Sequence, residues 1–64
     1  MRLLLAEDEA ALADWLVRTL AQGGNQVDWV ADGRLVRRAL RAERYDALIL
    51  DLGLPGLAGD EVLK

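Results

Sequence analysis

A chain of 64 residues has room for one small domain or part of one, because independent domains cluster at roughly 100–150 residues. A two-domain enzyme is therefore excluded. The chain has no cysteine and no histidine, which excludes disulfides, thiolate zinc sites and catalysis by a histidine base. Eleven acidic and eight basic side chains give a net charge of −3, which disfavours direct contact with nucleic acid or an anionic membrane.

The chain opens with a predicted strand, residues 2–6, whose continuous apolar run is typical of a strand buried on both faces. A helix is predicted over residues 9–22, ending at a pair of glycines. Apolar residues recur through it at spacings of three and four, which predicts this inward face: Leu12, Trp15, Leu16, Thr19 and Leu20. The predicted outward residues are Asp14, Val17 and Arg18.

A second strand is predicted over residues 26–31, where alternation places Val27, Trp29 and Ala31 on one side. Asp32 is predicted to cap a second helix over residues 34–43. The expected buried face of that helix is Val36, Ala39 and Leu40, with Leu35 as a further candidate. The arginines here are predicted to form a solvated face with local ion pairs rather than a recognition patch: Arg34, Arg37, Arg38, Arg41 and Arg44.

A third strand is predicted over residues 47–51, followed by a glycine-rich loop and the start of a third helix at residues 60–64. The order βαβαβ predicts an α/β fold with a parallel sheet, strand order 2-1-3 and helices on opposite faces. Ligands bind such sheets beyond the carboxyl ends of the strands, here between the first and third strands. Glu7 and Asp8 follow the first strand and Asp51 follows the third, so three carboxylates are expected to converge there.

Clustered carboxylates repel one another, so they must hold a proton at a raised pKa or bind a cation. Mg²⁺ is the simpler hypothesis, because it takes one or two carboxylates together with waters, a phosphate and a loop carbonyl. The alternative is that acids at strand ends only cap the next helix. We favour capping for Glu9, and the metal site for Asp8 and Asp51. Trp15 and Trp29 are predicted to be core or interface residues rather than ligand platforms.

Three blocks of sequence together resemble a known family: LLLAEDE at residues 3–9, ADG at residues 31–33, and YDALILDLGLPG at residues 45–56. They are similar to the receiver domain of bacterial two-component response regulators, and the resemblance covers all 64 residues in register. The Leu-Pro-Gly that follows the third strand is most similar to the winged-helix OmpR/PhoB-type regulators. The resemblance implies the amino-terminal half of a flavodoxin-like (CheY-like) doubly wound parallel sheet.

The resemblance also implies a function. Asp51 matches the aspartate that accepts a phosphoryl group from a histidine kinase and so controls a DNA-binding transcriptional output. Glu7 and Asp8 match the acidic pair that holds Mg²⁺, Asp8 directly and Glu7 through water, while Gly53 matches the residue whose backbone carbonyl completes the metal shell. A phosphoacceptor module rather than an enzyme is therefore expected, in the cytoplasm, because no apolar run approaches a membrane span or a signal peptide.

The chain also departs from the family. Ala58 precedes Gly59 where many relatives have an acidic or amide residue, which leaves the hydrogen bonding of that loop open. The family domain is about twice this length, and its later elements carry the Ser or Thr, the Lys and the aromatic residue of the switch. Lys64 lies on the wrong element to replace that lysine. We interpret the chain as the amino-terminal part of a receiver domain, ending inside the third helix and not expected to be switch-competent.

A half-domain would leave the third strand as an open edge, so we expect a homodimer or higher oligomer through that edge. The alternative function is a self-assembling fragment with a structural role only. Two enzyme classes of related topology are disfavoured. A dinucleotide-binding fold needs a glycine-rich turn where this chain has Glu7, Asp8 and Glu9. An aspartyl-phosphate phosphatase of the haloacid dehalogenase type needs a second Asp where Gly53 stands.

Overall fold

A central strand with neighbours on both sides organises the structure, a computed structural model that describes residues 1–50. The elements in chain order are β1 (Arg2–Ala6), α1 (Ala10–Gln22), β2 (Gln26–Val30), α2 (Arg34–Ala42) and β3 (Ala47–Leu50). The predicted end of the third strand at Asp51, the loop that follows and the predicted helix start at residues 60–64 lie outside the described residues.

The three strands form one parallel sheet in the order β2-β1-β3, which confirms the predicted topology. In register, Leu4 of β1 lies between Asp28 of β2 and Leu48 of β3. Residues 3–6 of β1 are at most 5% exposed, as expected for a continuous apolar run with strands on both sides and a helix over each face.

Side chains alternate between the two faces of the sheet, and each face is covered by one helix. On one face, Leu4 and Ala6 form a fully buried cluster with Val36 of α2. Partly buried residues surround this cluster: Val30, Ala39, Tyr45, Leu48 and Leu50. Leu3 and Leu5 point to the opposite face and are also buried, as is Ala13 of α1, the helix that packs against β2.

The predicted inward face of α1 was wrong for its largest residues. Leu12 is 40% exposed and Trp15 is 60% exposed, whereas Ala13 is completely buried. Val17, predicted to point outward, is half-buried, and the predicted inward Thr19 is exposed. The buried face differs from the predicted one because a neighbouring stripe of residues, starting at Ala13, has the same three- and four-residue spacing. The small side chain of Ala13 allows the helix to approach the sheet closely.

Element boundaries differ from the predicted ones by single residues. Glu9, predicted as the first residue of α1, is its extended N-cap (φ −89°, ψ 110°). Ala31 falls outside β2. Glu43 ends α2 because its backbone is extended (φ −140°, ψ 156°). The predicted cap at Asp32 is displaced by one residue, because Gly33 is the N-cap of α2 and makes no side-chain capping hydrogen bond. Asp32 still contacts the start of the helix, since its Oδ1 accepts the backbone N–H of Arg34 at 2.9 Å.

The predicted buried face of α2 was correct for its centre and wrong at its edges. Val36 is fully buried and Ala39 is half-buried, but Leu40 and the further candidate Leu35 are both exposed. A helix of nine residues that lies across a three-stranded sheet presents only a narrow stripe to it, and Leu35 and Leu40 flank that stripe.

A network of charged groups centred on Arg2 ties the beginning of β1 to β2 and to the α2–β3 connection. The two terminal nitrogens of Arg2 donate to Asp28 Oδ2 and to Glu43 Oε2, each at 3.0 Å. The Tyr45 hydroxyl donates to the same Asp28 oxygen at 2.5 Å, and its ring centroid lies 5.1 Å from Arg2 Cζ. Asp46 closes the network, since its carboxylate accepts the Arg2 N–H and its own N–H donates to the Arg2 carbonyl.

The hydrogen bond between Tyr45 and Asp28 shifts both of their pKa values. It lowers the pKa of Asp28, with Arg2 as the second cause, and it raises the pKa of Tyr45. Asp28 therefore contributes stability above its ordinary pKa of about 3.9, and this is lost as the pH falls through the lower folded value. Tyr45 contributes stability below its ordinary pKa of about 10, and this is lost as the pH rises through the higher folded value.

Tyr45 is the single tyrosine of the chain, so its ionisation can be followed alone by the ultraviolet absorbance of tyrosinate. We expect a midpoint above about 10 in the folded chain, which falls toward that ordinary value in Asp28→Asn because the carboxylate charge is removed. Asp14→Asn is the control, since Asp14 lies exposed on α1 and pairs with Arg18. An unchanged midpoint in Asp28→Asn would contradict this assignment.

Candidate functional site

The carboxyl end of β1 is fixed to both neighbouring strands. Ala6, the last residue of β1, is in register with Val30 of β2 and with Leu50 of β3. The next residue, Glu7, donates its backbone N–H to the Val30 carbonyl at 3.1 Å. The Glu7 carbonyl accepts the indole N–H of Trp29 at 2.7 Å. Both backbone polar groups of Glu7 are thus held by β2.

The Glu7 side chain turns inward and is only 5% exposed. Its Oε1 accepts the backbone N–H of Glu9 at 3.1 Å, at the entry to α1. A buried carboxylate is costly unless it accepts hydrogen bonds, and a backbone N–H beside a helix start is a favourable donor for a negative charge. The acid that follows β1 directly is therefore built into the junction between the strand and the helix.

Asp8 and Glu9 differ from Glu7 because both are exposed. Glu9 occupies the N-cap position of α1, but its side chain makes no capping hydrogen bond. Its carbonyl instead accepts the Ala13 N–H at 2.9 Å, as the first backbone hydrogen bond of the helix. Asp8 lies two residues beyond the carboxyl end of β1, and its side chain is accessible from solvent.

Two of the four predicted metal-binding residues, Glu7 and Asp8, lie in the described part, while Asp51 and Gly53 lie outside it. Leu50 immediately precedes Asp51 in the sequence and is in register with Ala6, which immediately precedes Glu7. Within residues 1–50 no group of three acidic side chains is close enough to hold a metal ion. The donor chemistry nevertheless fits Mg²⁺, which prefers carboxylate oxygens and completes its shell with water.

The sequence pattern of the response regulator receiver domain matches residues 3–64 of this chain. The chain belongs to this family. Among the residues that the structure describes, no helix is long and apolar enough to cross a membrane.

Several transcriptional regulators are similar to this receiver chain. The transcriptional regulatory protein TctD of Salmonella typhimurium is 47% identical over all 64 residues. The transcriptional regulatory protein QseB of Escherichia coli O157:H7 is 44% identical, and the response regulator protein PmrA of Pseudomonas aeruginosa is 42% identical, again over 64 residues. The receiver chain spans 29% of the length of each of these relatives.

Trp29 holds the backbone of Glu7, a contact that sequence reasoning missed. It was assigned to the core or to an interface, yet it is 43% exposed and its indole N–H donates to the Glu7 carbonyl. Its register partner on β1 is Leu5, two residues before Glu7. The one sequence signal was a large residue with a polar N–H near the carboxyl end of a strand, because such a side chain can reach a neighbouring carbonyl.

The contact between Trp29 and Glu7 can be tested by removing the indole N–H. We expect Trp29→Phe to lower the free energy of unfolding by about 1 kcal/mol, because the Glu7 carbonyl loses its donor. Trp15→Phe is the matched control and should change stability by less than about 0.5 kcal/mol, since Trp15 is largely exposed. Urea denaturation of the two variants measures the difference. Equal losses would show that the indole contact has no specific role.

Proposed function

We propose that this chain is a phosphoacceptor module of a two-component response regulator, with Asp51 accepting a phosphoryl group from a histidine kinase. The observation that carries the proposal is the register of Ala6 with Leu50. Ala6 and Leu50 end neighbouring parallel strands at the same edge of the sheet, the edge at which ligands bind in open α/β folds. In the sequence, Glu7 follows Ala6 and Asp51 follows Leu50. Membership of the receiver family supports the same assignment.

The proposed reaction is a transfer between two side chains. An oxygen of the Asp51 carboxylate attacks the phosphorus of a phosphohistidine on the kinase, forming an O–P bond as the N–P bond breaks. The electron pair of the broken bond stays on the imidazole nitrogen of the kinase, which becomes neutral histidine. Little covalent chemistry is demanded of the remaining residues, so their contribution is to position the groups and to balance charge.

Glu7, Asp8, Asp51 and the Gly53 carbonyl would hold Mg²⁺ in this proposal. When bound, the ion offsets negative charge on the phosphoryl oxygens. Asp8 suits a direct ligand because its carboxylate is exposed at the end of the sheet. Glu7 suits a contact through water, because one of its oxygens already accepts the Glu9 N–H. In this proposal, the buried Glu7 fixes the carboxyl end of β1, and Asp8 binds the Mg²⁺ ion directly.

The function of the whole protein is a further part of the proposal. The relatives are named as transcriptional regulators and are longer than this chain. We therefore propose that phosphorylation at Asp51 regulates a DNA-binding output in the cytoplasm, and that contact with DNA belongs to a part of the protein other than this 64-residue segment. The net negative charge of the chain supports this division.

Phosphorylation can be tested with acetyl phosphate and Mg²⁺. We expect the chain to gain the mass of one phosphoryl group, which is lost in Asp51→Asn because the attacking oxygen is replaced by an amide. Asp8→Asn should lower the yield by at least about tenfold, since a charged ligand of the proposed ion is removed. Intact-mass spectrometry gives the yield in each case.

The matched control for this experiment is Asp14→Asn, which neutralises an exposed acid on α1 that pairs with Arg18. Its yield should equal that of the unmodified chain. Phosphorylation that persists in Asp51→Asn would remove the assignment of the acceptor. A complete lack of phosphorylation in a folded chain would reduce the proposal to a statement of ancestry.

A second proposal concerns assembly. Within residues 1–50, β3 pairs with β1 along one edge only, and residues 48–50 are half-buried. We propose that the 64-residue chain, studied by itself, forms a homodimer or higher oligomer by pairing β3 with β3 of another copy. An open strand edge with apolar side chains favours such pairing.

Sedimentation of the chain at micromolar concentration tests this assembly. We expect a dimer or larger species, and a shift toward monomer in Ala47→Lys, because a charge on an edge strand opposes pairing. Ala47 is exposed at the start of β3. Ala11→Lys introduces the same charge at an exposed position of α1 and should leave the oligomer unchanged. A well-folded monomer of the unmodified chain would contradict the proposal.

A further inference from the structure

Helix α2 carries a row of four exposed arginines, called here the arginine stripe: Arg34, Arg37, Arg38 and Arg41. Their spacing of three and four residues places them on one side of the helix, over roughly 10 Å along its axis. Together with Ala42 they line an open depression of about 540 Å³. This surface lies opposite the side of α2 that buries Val36 against the sheet.

The charge of the stripe contrasts with the rest of the chain. Five of the eight basic residues of the chain fall between positions 34 and 44, although the net charge is −3. Arg34 pairs with Asp32 at 2.5 Å, at the start of the helix. Arg38 and Arg41 make no ion pair with any residue of the described range 1–50. Local ion pairs were predicted for the whole arginine face, and these two arginines do not fit that prediction.

Like charges three and four residues apart destabilise a helix. Arg41 gains some compensation from its place in the last turn of α2, where the helix dipole favours a cation. Arg38 lies between Arg34, Arg37 and Arg41. It has neither an ion pair within residues 1–50 nor a place in the last turn of the helix. The sequence thus maintains a concentration of positive charge on a short helix, at a cost in its intrinsic stability, on a surface that faces away from the core.

We propose that the arginine stripe is a docking surface for an acidic segment of a partner protein, one that presents carboxylates at a matching helical spacing. Guanidinium groups form paired, planar hydrogen bonds with carboxylates, and the length of the stripe corresponds to about two turns of a partner helix. A nucleic acid fits less well. It extends far beyond the stripe and would meet a chain of net negative charge with exposed acids at Asp8 and Glu9.

Fluorescence anisotropy provides a direct test, with a labelled helical peptide that carries Glu at positions i, i+3, i+4 and i+7. We expect the chain to bind this peptide at low ionic strength and to lose affinity as salt is added. Arg38→Glu should weaken binding by at least about fivefold. Arg18→Glu, the same change on an exposed arginine of α1 that pairs with Asp14, should weaken it by less than about twofold.

The outcomes distinguish docking of an acidic helix on the stripe from a general effect of charge and from nucleic-acid binding. Equal losses in Arg38→Glu and Arg18→Glu would overturn the docking surface, because only net charge would then matter. Tighter binding of a DNA oligonucleotide of equal charge would overturn it in favour of nucleic acid, and no binding at low salt would overturn it outright. If circular dichroism shows that Arg38→Glu does not fold, Arg38→Gln replaces it with the same expected direction. Unchanged peptide binding in Asp51→Asn would show that docking on the arginine stripe does not depend on the proposed phosphoacceptor.

Discussion

The fold depends on β1 being paired on both of its edges. Residues 3–6 hold β2 and β3 in parallel register, and β2 and β3 do not pair with each other. On one face of β1, Leu4 and Ala6 pack against Val36 of α2, and Leu3 and Leu5 on the other face are also buried. A single apolar run therefore fixes the sheet order, the position of α2 and the point at which Glu7 leaves the sheet.

The two ends of the sheet handle charge differently. At the amino ends of the strands, Arg2 is bonded to Asp28 and Glu43, and the Tyr45 hydroxyl supports Asp28 from the other side. At the carboxyl end, two of three consecutive acids are exposed and the third is buried. Exposed acids at the carboxyl ends of parallel strands are typical of a site whose cation or substrate comes from solution. The charges at the amino ends of the strands are therefore paired within the protein, and the carboxyl end is the one for which ligand binding is proposed.

The topology could be predicted from the sequence because it follows from local patterns of apolar residues. The different burial of Glu7 and Asp8 could not be predicted. Buried apolar strands alternating with helical periodicity allow few arrangements, and the positions of Glu7 and Asp8 after β1 follow from sequence order alone. The burial of Glu7 and the exposure of Asp8 do not follow from sequence order, because Glu7 is held by Val30 and Trp29, which belong to another strand. The inward face of α1 was misjudged for a related reason. The large apolar side chain of Trp15 suggested that it would be buried, but close packing of a helix on a sheet buries the small Ala13 instead.

The outer surfaces of the two helices follow from this packing and differ in chemistry. α1 contacts the sheet through its small residue, so Leu12 and Trp15 remain on the outside as apolar area. α2 contacts the sheet through Val36 and turns its arginines outward. An apolar surface gains most from a covering layer that excludes water, whereas a charged surface keeps its hydration until a complementary charge replaces it. The α2 side is therefore the one on which the proposed association would be reversible and sensitive to salt.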